Sequence, residues 1–249
     1  MPLSTANRCA RRHLLVGLGV TALLAAGALL GTSAGVAEAG KVKVLGGAKP
    51  ADASCPANCL VEARVTGFQT SIGRIKNPFS VPFHGRLIAW SIKLGSPSKT
   101  DLTFFNQRFG RAQARISILK PIRVRRGRRP AKLRYKLLRH GPLQDLQPFF
   151  GETTTFGLPQ PLKVRKGNVV ALTMPTWAPA FAVGQSARWR ASRAPSKARG
   201  PCSSKRGLAN LEAGGPHEQK GAQRSYGCFY RDARLLYSAR LVRDKPSSR

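Results

Sequence analysis

Acidic residues are scarce in this chain, with 10 Asp and Glu against 43 Lys and Arg among 249 residues. Hydrolysis of a sugar usually requires two carboxylates on either side of the scissile bond, and no two of these acids are close in sequence. Histidine is also rare, with four residues, and beyond residue 40 there is no G-x-S-x-G, H-E-x-x-H or G-x-x-x-x-G-K-[ST] motif. We therefore expect a protein that is not an enzyme and that binds no cofactor.

Long stretches of helical periodicity are absent beyond residue 40, where apolar residues rarely recur at spacings of three and four. Apolar and polar residues alternate instead, as in 132–137, where Leu133, Tyr135 and Leu137 alternate with basic residues. The segments 162–164 and 170–174 flank a Lys-Gly-Asn turn and predict a hairpin. About eight to ten short strands separated by turns predict an all-β antiparallel sandwich or barrel.

One long apolar run is present, and it lies near the start of the chain at residues 14–30. Three arginines precede it, and Ala37-Glu38-Ala39 followed by Gly40 matches a signal-peptidase site. Residues 1–39 are therefore predicted to be a signal peptide, so the protein is expected to be secreted or associated with the cell envelope. The alternative is an uncleaved anchor, which would be the only membrane contact. The paired Arg11-Arg12 leaves twin-arginine export open beside the general route.

Cysteine is limited to five residues, and four follow the predicted cleavage site: Cys55, Cys59, Cys202 and Cys228. An even number in an exported chain predicts two disulfides, for which three pairings exist. Pairing of Cys55 with Cys59 and of Cys202 with Cys228 is favoured, because each closes a short segment rich in Pro, Gly and Ser. A zinc site is the alternative, but the spacings lack the paired C-x2-C knuckles that it needs.

The chain after the leader is predicted to fold as one domain. Residues 40–54 have the composition of a flexible lead-in, and residues 55–245 are expected to form a single β-sandwich domain. The segment 193–225 is rich in Ser, Gly, Lys and Arg and has too few apolar residues for a core of its own. It is therefore predicted to be a long inserted loop.

Positive charge is the most pronounced property of the exported part, which keeps 40 basic and 9 acidic residues and a net charge of +31. Such a field favours polyanionic partners, and the segment 123–139 concentrates nine Lys and Arg without an acid. The predicted polyanion-binding residues are Arg123, Arg125, Arg126, Arg128, Arg129, Lys132, Arg134 and Lys136. The alternative is that these charges protect an edge strand and a hairpin tip from aggregation. No recognition motif supports sequence-specific binding of nucleic acid.

Aromatic residues form a second candidate surface, because several, including those at 104–106, 149–150 and 177, lie in segments that resemble loops between predicted strands. Trp177, between Pro175 and Pro179, is the best candidate to stack on a sugar ring, and Phe149 and Phe150 are the next. The alternative is that these rings seal the ends of the sandwich, since aromatic residues usually belong to the core.

A resemblance supports the fold prediction. The segments Gly85–Ser91, Phe104–Gly110, PLKVRKGNVVALTMPTWAP at 161–179 and Ala233–Tyr237 occur in an order that resembles uncharacterised secreted β-sandwich proteins of high-GC bacteria. This resemblance implies a sandwich of the jelly-roll type but no activity. The strand–Lys-Gly-Asn–strand segment is also similar to turns in carbohydrate-binding jelly rolls.

These observations favour a non-enzymatic secreted module that binds anionic glycans of the cell wall or extracellular matrix. A structural envelope or matrix protein without a specific ligand is the second hypothesis, and an extracellular hydrolase is the third. The identity of the ligand and the oligomeric state are left open by the sequence.

Overall fold

The computed structural model describes residues 41–47, 51–55, 59–123, 133–192, 200–202, 212 and 215–244. Most of these residues lie in β-strands. The strands are β1 (Lys43–Leu45), β2 (Glu62–Ile72), β3 (Ile75–Lys76), β4 (Gly85–Lys93), β5 (Gln113–Arg123), β6 (Leu133–His140), β7 (Gln144–Asp145), β8 (Thr153–Val164), β9 (Val169–Ala178), β10 (Phe181–Ala191), β11 (Gly200–Pro201), β12 (Gln223–Ser225), β13 (Cys228–Leu235) and β14 (Tyr237–Arg243). One α-helix, α1 (Lys99–Phe109), and a 3-10 turn at Gln147–Phe149 complete the described elements.

The predicted signal peptide, including Ala37, Ala39 and Gly40 at its cleavage site, lies outside the described residues. Within the described part of the chain, no helix is both long and apolar enough to span a membrane.

The strands form two sheets that pack face to face. Sheet one has the spatial order β1-β14-β4-β8, and sheet two has the order β11-β13-β10-β2-β9-β5-β6-β12. Four antiparallel pairs correspond to one long hairpin that is folded over on itself: β1–β14, β2–β9, β4–β8 and β5–β6. The chain therefore crosses repeatedly between the sheets. This arrangement is a jelly roll, and it confirms the predicted fold class.

The hairpin predicted for 162–174 is wrong, because β8 pairs with β4 in sheet one whereas β9 pairs with β2 and β5 in sheet two. Residues 43–45 of the predicted flexible lead-in form β1 and pair with β14, so the sandwich begins before residue 55.

Additional strands extend sheet two beyond these eight. The pair β10–β13 adds to the edge at β2, and the short β11 pairs with β13 in parallel. On the opposite side, β12 pairs with β6 through Gln223–Lys136 and Ser225–Arg134. Both β11 and β12 belong to the segment 193–225, so this segment is not a loop throughout. Because β12 covers β6 there, residues 134–136 are not on an edge strand.

The buried apolar residues of both sheets form one continuous core cluster. All three tryptophans, Trp90, Trp177 and Trp189, are fully buried. The alternation predicted for 132–137 is seen where the structure describes side chains, because Tyr135 and Leu137 are buried and Lys136 is exposed. Truncation of such buried side chains to Ala typically costs about 2–5 kcal/mol.

The helix α1 contradicts the sequence interpretation of 104–106 as part of a loop. Ser98 and Asp101 form a capping box at its N-terminus, with Ser98 Oγ accepting from Asp101 N at 3.1 Å. Leu102, Phe105 and Phe109 follow at spacings of three and four, and Phe105 is buried with its ring centroid 5.0 Å from that of Trp177. The periodicity spans only 11 residues, which is too short for a search for long helices to detect.

Both favoured disulfides are present. Cys55 pairs with Cys59 and Cys202 pairs with Cys228, with sulfur–sulfur distances of 2.00 and 2.08 Å. The prediction of the pairing is therefore confirmed, and the alternative of a zinc site at these cysteines is wrong. Two such bonds are typical of an oxidising, extracellular environment.

Candidate functional site

The predicted basic hairpin is described only in part. Arg125, Arg126, Arg128, Arg129 and Lys132 lie outside the described residues. Arg123 is the last residue of β5 and pairs with Leu133 of β6, so 124–132 connects two antiparallel neighbours as predicted. Arg134 and Lys136 lie on β6, where Lys136 is exposed and Arg134 is half-buried beside β12.

A basic cleft of about 720 Å³ lies where the turn between β8 and β9 meets β5 and β6. Its five cationic residues are Lys120, Arg139, Lys163, Arg165 and Lys166. The other lining residues are His84, Pro121, Leu138, Gly167 and Asn168. None of the described residues that line this cleft is acidic. The cleft therefore presents a concave, positively charged surface that suits an anion.

The turn that carries Arg165 and Lys166 is fixed by hydrogen bonds on both sides. Asn168 Oδ1 accepts from Arg165 N at 2.9 Å, which closes the turn internally. Gly167 N donates to Val81 O at 2.9 Å, and Val81 N donates to Asn168 O at 2.8 Å. Gly167 has φ +83°, a conformation that a residue with a Cβ adopts only at a cost. The Lys-Gly-Asn sequence thus positions the basic side chains on a rigid support.

Arg139 joins the two sheets at this cleft. Its guanidinium donates to the backbone oxygen of Lys163, so that β6 is linked to β8. The side chains of Lys120, Lys163, Arg165 and Lys166 are exposed. The cleft thus combines one cation held in place with four that are free to reach a ligand in solvent.

Several acidic side chains in the described part of the chain form ion pairs with cations outside the cleft. Asp52 binds Lys93 at 2.7 Å, Asp145 binds Arg111 at 2.5 Å and Glu218 binds Arg115 at 2.6 Å, while Glu212 contacts Arg108. Lys93 lowers the pKa of Asp52, through a hydrogen bond and its charge.

One acid, Asp244, contacts a residue of the cleft through its backbone, since its N–H donates to His84 O at 3.2 Å. Its carboxylate is paired with Arg86 at 3.3 Å. The acids in these ion pairs are bound to cations outside the cleft, so they do not neutralise its positive charge.

The prediction that Trp177 stacks on a sugar ring is wrong. Trp177 is completely buried, and its indole N–H donates to Gly110 O at 2.8 Å and to Asn106 Oδ1 at 3.2 Å. The prolines on either side suggested an exposed loop, but Trp177 lies in β9 and faces α1. A residue without accessible surface cannot present a ring to a ligand.

Phe149 and Phe150 also pack against the core rather than form a platform. The ring of Phe150 lies 5.6 Å from that of Trp177, and the ring of Phe149 lies 5.5 Å from that of Phe156. Both are half-buried. Both rings pack against the core cluster, in agreement with the alternative that aromatic residues usually belong to the core.

A polar network connects strands of sheet two with the segment 215–226. It joins Thr66, Ser117, His140, Thr173 and His217. The His140 Nε2–H donates to Glu218 O at 2.7 Å, so His140 Nδ1 accepts from Ser117 Oγ at 2.9 Å. The chain continues from Ser117 Oγ to Thr173 Oγ1 at 2.6 Å, to Thr66 Oγ1 at 2.9 Å, and to the backbone N–H of His217 at 2.9 Å.

The contact between Ser117 and His140 resembles a nucleophile and its base, but its surroundings indicate a structural role. Ser117 is completely buried, so its hydroxyl cannot reach a substrate. Burial lowers the pKa of both His140 and His217, and the Tyr226 hydroxyl and Ala222 O complete the partners of His217 at 3.1 and 3.0 Å. Burial also raises the pKa of Tyr226. The network therefore joins neutral groups that hold residues 215–226 against sheet two.

Comparison of the chain with family models, curated proteins and solved structures finds no match. The resemblance to secreted β-sandwich proteins of high-GC bacteria stays a prediction.

Sequence reasoning missed most of the basic cleft. Lys163, Arg165 and Lys166 were interpreted only as parts of a strand and a turn, although they form a basic K-V-R-K stretch. Arg139 is the last cation of the predicted basic segment 123–139, and Lys120 precedes that segment. Only the pairing of β5 with β6 and the approach of β8 bring these residues together with Lys163.

Proposed function

We propose that this protein is a secreted, non-enzymatic module that binds anionic glycans of the cell wall or extracellular matrix through the basic cleft. The observation that carries the proposal is a cleft with five Lys and Arg and no acid among its described lining residues. A guanidinium can bind a carboxylate, sulfate or phosphate through two parallel hydrogen bonds.

The shape of the cleft supports a ligand-binding role over simple surface charge. Dispersed surface cations keep a protein soluble, but a concave site concentrates the field and raises the local concentration of counter-ions. Arg165 and Lys166 project from a turn that is held by Val81 and Asn168, and Lys163 lies at the end of β8 just before it. Little conformational freedom of the backbone is therefore lost when an anion binds.

The test is retention on immobilised polygalacturonate, with sodium chloride as the eluent. The triple variant Lys163→Ser/Arg165→Ser/Lys166→Ser is expected to elute at a much lower salt concentration than the wild type. The matched control is Lys43→Ser/Lys99→Ser/Arg240→Ser, which removes the same residue types at exposed positions outside the cleft.

If both triple variants elute together, retention depends on net charge alone. That result would contradict the proposal and favour a structural envelope protein without a specific ligand. If the wild type is not retained at all, the proposal is also wrong.

Secretion is tested separately by expression of the whole chain. The expected product is found outside the cytoplasm and begins at Gly40. Export is compared with that of a variant in which Arg11 and Arg12 are replaced by Lys, which should block the twin-arginine route only.

A further inference from the structure

Three arginines surround a single aromatic ring on the pair β10–β13. The guanidinium carbons of Arg188, Arg231 and Arg190 lie 4.9, 5.3 and 5.7 Å from the centroid of the Phe229 ring. Arg188 lies opposite Arg231 and Arg190 lies opposite Phe229 across the two strands. We refer to these four residues as the arginine cluster.

The cluster places like charges where they repel each other. Cations directly opposite each other on neighbouring strands are unfavourable, and a half-buried aromatic ring compensates only in part. Within the described residues, neither Arg188 nor Arg231 takes part in an ion pair with a carboxylate. Arg190 is held by hydrogen bonds to Tyr226 O and Gly227 O at 3.0 and 3.3 Å. An anion shared by Arg188 and Arg231 would relieve this repulsion.

A side groove connects the arginine cluster with the basic cleft. This groove has a volume of about 510 Å³ and is lined on one side by Arg188 and Arg190. On the other side it shares Pro121 and Gly167 with the basic cleft. None of the described residues that line the groove is acidic, and Lys76 adds a further cation. Cationic side chains therefore follow one path from the turn between β8 and β9 to the strands β10 and β13.

The polar wall of the side groove suits a sugar chain. Ser71, Asn77 and Ser80 line the groove between its cationic ends, and their hydroxyl and amide groups can exchange hydrogen bonds with sugar hydroxyls. A small anion would need only one of the two ends. A linear polymer can occupy the groove and place an anionic group at each end.

We infer that the arginine cluster is a second anion subsite, and that the ligand is a linear anionic polysaccharide long enough to reach both the cluster and the basic cleft. This inference rests on the proposed function. Two linked subsites increase the affinity for a long chain because the second contact is intramolecular once the first has formed.

The experiment compares the double variant Arg188→Gln/Arg231→Gln with the matched control Arg64→Gln/Arg240→Gln, which changes two exposed arginines outside the path. Binding of digalacturonate and of a long oligogalacturonate is measured by calorimetry, with dextran sulfate as a separate arm for sulfate groups. The cluster variant is expected to bind the long chain with an affinity about tenfold lower than that of the wild type. Its affinity for digalacturonate should equal that of the wild type. The variant of the basic cleft should lose both ligands.

Unchanged binding of the long chain by the cluster variant would overturn the inference. The proposed function would survive that result as long as the cleft variant still loses binding. An oligonucleotide that binds as tightly as an oligogalacturonate of equal charge would overturn the assignment to a glycan. Thermal unfolding controls for folding, because removing opposed charges should leave the midpoint equal or higher. If the midpoint falls, the variant Arg188→Lys/Arg231→Lys keeps the charge and isolates the loss of bidentate contacts.

Discussion

The polar network and the basic cleft use adjacent residues of the same two strands. Ser117 and His140 belong to the network, and Lys120 and Arg139 belong to the cleft. In the network, hydroxyl and imidazole groups find partners within the protein and residues 215–226 cover them. In the cleft, four cations are exposed and no acid lies among the described lining residues.

This difference predicts a structural role for the polar network and a binding role for the basic cleft. Buried polar groups that bond to each other stabilise the position of a segment and leave nothing for a ligand. Exposed cations without acidic neighbours add little to stability and keep their capacity to bind an anion. Changes in the network should therefore alter stability, and changes in the cleft should alter binding.

The largest effect on the network side is expected from removal of the disulfide that tethers its cover. Cys202 and Cys228 enclose most of the segment that lies over the network and are 26 residues apart. By the chain-entropy model, Cys202→Ala/Cys228→Ala should lower the free energy of unfolding by about 3 kcal/mol. Chemical denaturation measures this change.

The second disulfide is the matched control. Cys55 and Cys59 are only 4 residues apart, so their double Ala variant should lose about 2 kcal/mol. An equal or larger loss for this pair would show that the tether over the network has no special contribution.

The next effect concerns the network itself. Thr173→Val removes a hydroxyl that bonds to both Thr66 and Ser117, and it should lower the free energy of unfolding by about 1–3 kcal/mol because buried partners lose their bonds. Thr155→Val on β8 removes one exposed hydroxyl contact with Ser91 and should change stability by less than about 0.5 kcal/mol. Retention on polygalacturonate should be unchanged in both variants. Loss of retention in Thr173→Val would contradict the separation of the two regions.

A smaller effect is expected from pH. Burial lowers the pKa of His140 and His217 in the folded protein below the value of 6.5. The unfolded chain therefore binds more protons just below that pH, and the free energy of unfolding should fall as pH falls from about 8 to about 5. The double variant His140→Gln/His217→Gln should show a flatter dependence, whereas the triple variant of the basic cleft should keep the slope of the wild type. Equal slopes in all three proteins would refute this account of the network.

The smallest effect on stability is expected in the cleft. The variant Lys163→Ser/Arg165→Ser/Lys166→Ser should change the free energy of unfolding by less than about 0.5 kcal/mol, since these side chains are exposed. A loss of stability comparable with that of Thr173→Val would mean that the cleft serves the fold.

The last prediction compares the basic cleft with the four arginines at 125–129, which the sequence predicts as polyanion-binding residues. The variant in which Arg125, Arg126, Arg128 and Arg129 are all Ser should lose less retention than the triple variant of the cleft, because the described lining of the cleft includes none of these four residues and net charge alone acts mainly through a long-range field that salt screens. Salt elution of both variants from polygalacturonate measures this difference. A greater loss in the hairpin variant would move the main binding site to the segment that the sequence first indicated.

Much of the fold was predictable from local patterns. Alternation at 132–137, the Lys-Gly-Asn turn at 166–168 and the spacing of the cysteines each depend on residues close in sequence, and each prediction is confirmed within the described residues. Three local interpretations are wrong. The strands on either side of the Lys-Gly-Asn turn do not pair as a hairpin, because β8 belongs to sheet one and β9 to sheet two. The helix α1 has a capping box and three spaced apolar residues but spans only 11 residues, and the prolines near Trp177 imitate a loop although β9 continues through them.

The sequence by itself determined the all-β class, the pairing of the cysteines and the excess of positive charge, because turn chemistry, alternation and composition are local or additive properties. Only the tertiary structure decided which charges act together. Lys120, Arg139 and Lys163 belong to three strands in two sheets and meet because β6 approaches β8. The tertiary structure alone also determines that Trp177 belongs to the core and that the hydroxyl of Ser117 is shielded from solvent. Burial depends on which distant segments pack over a residue, and no window of sequence contains that information.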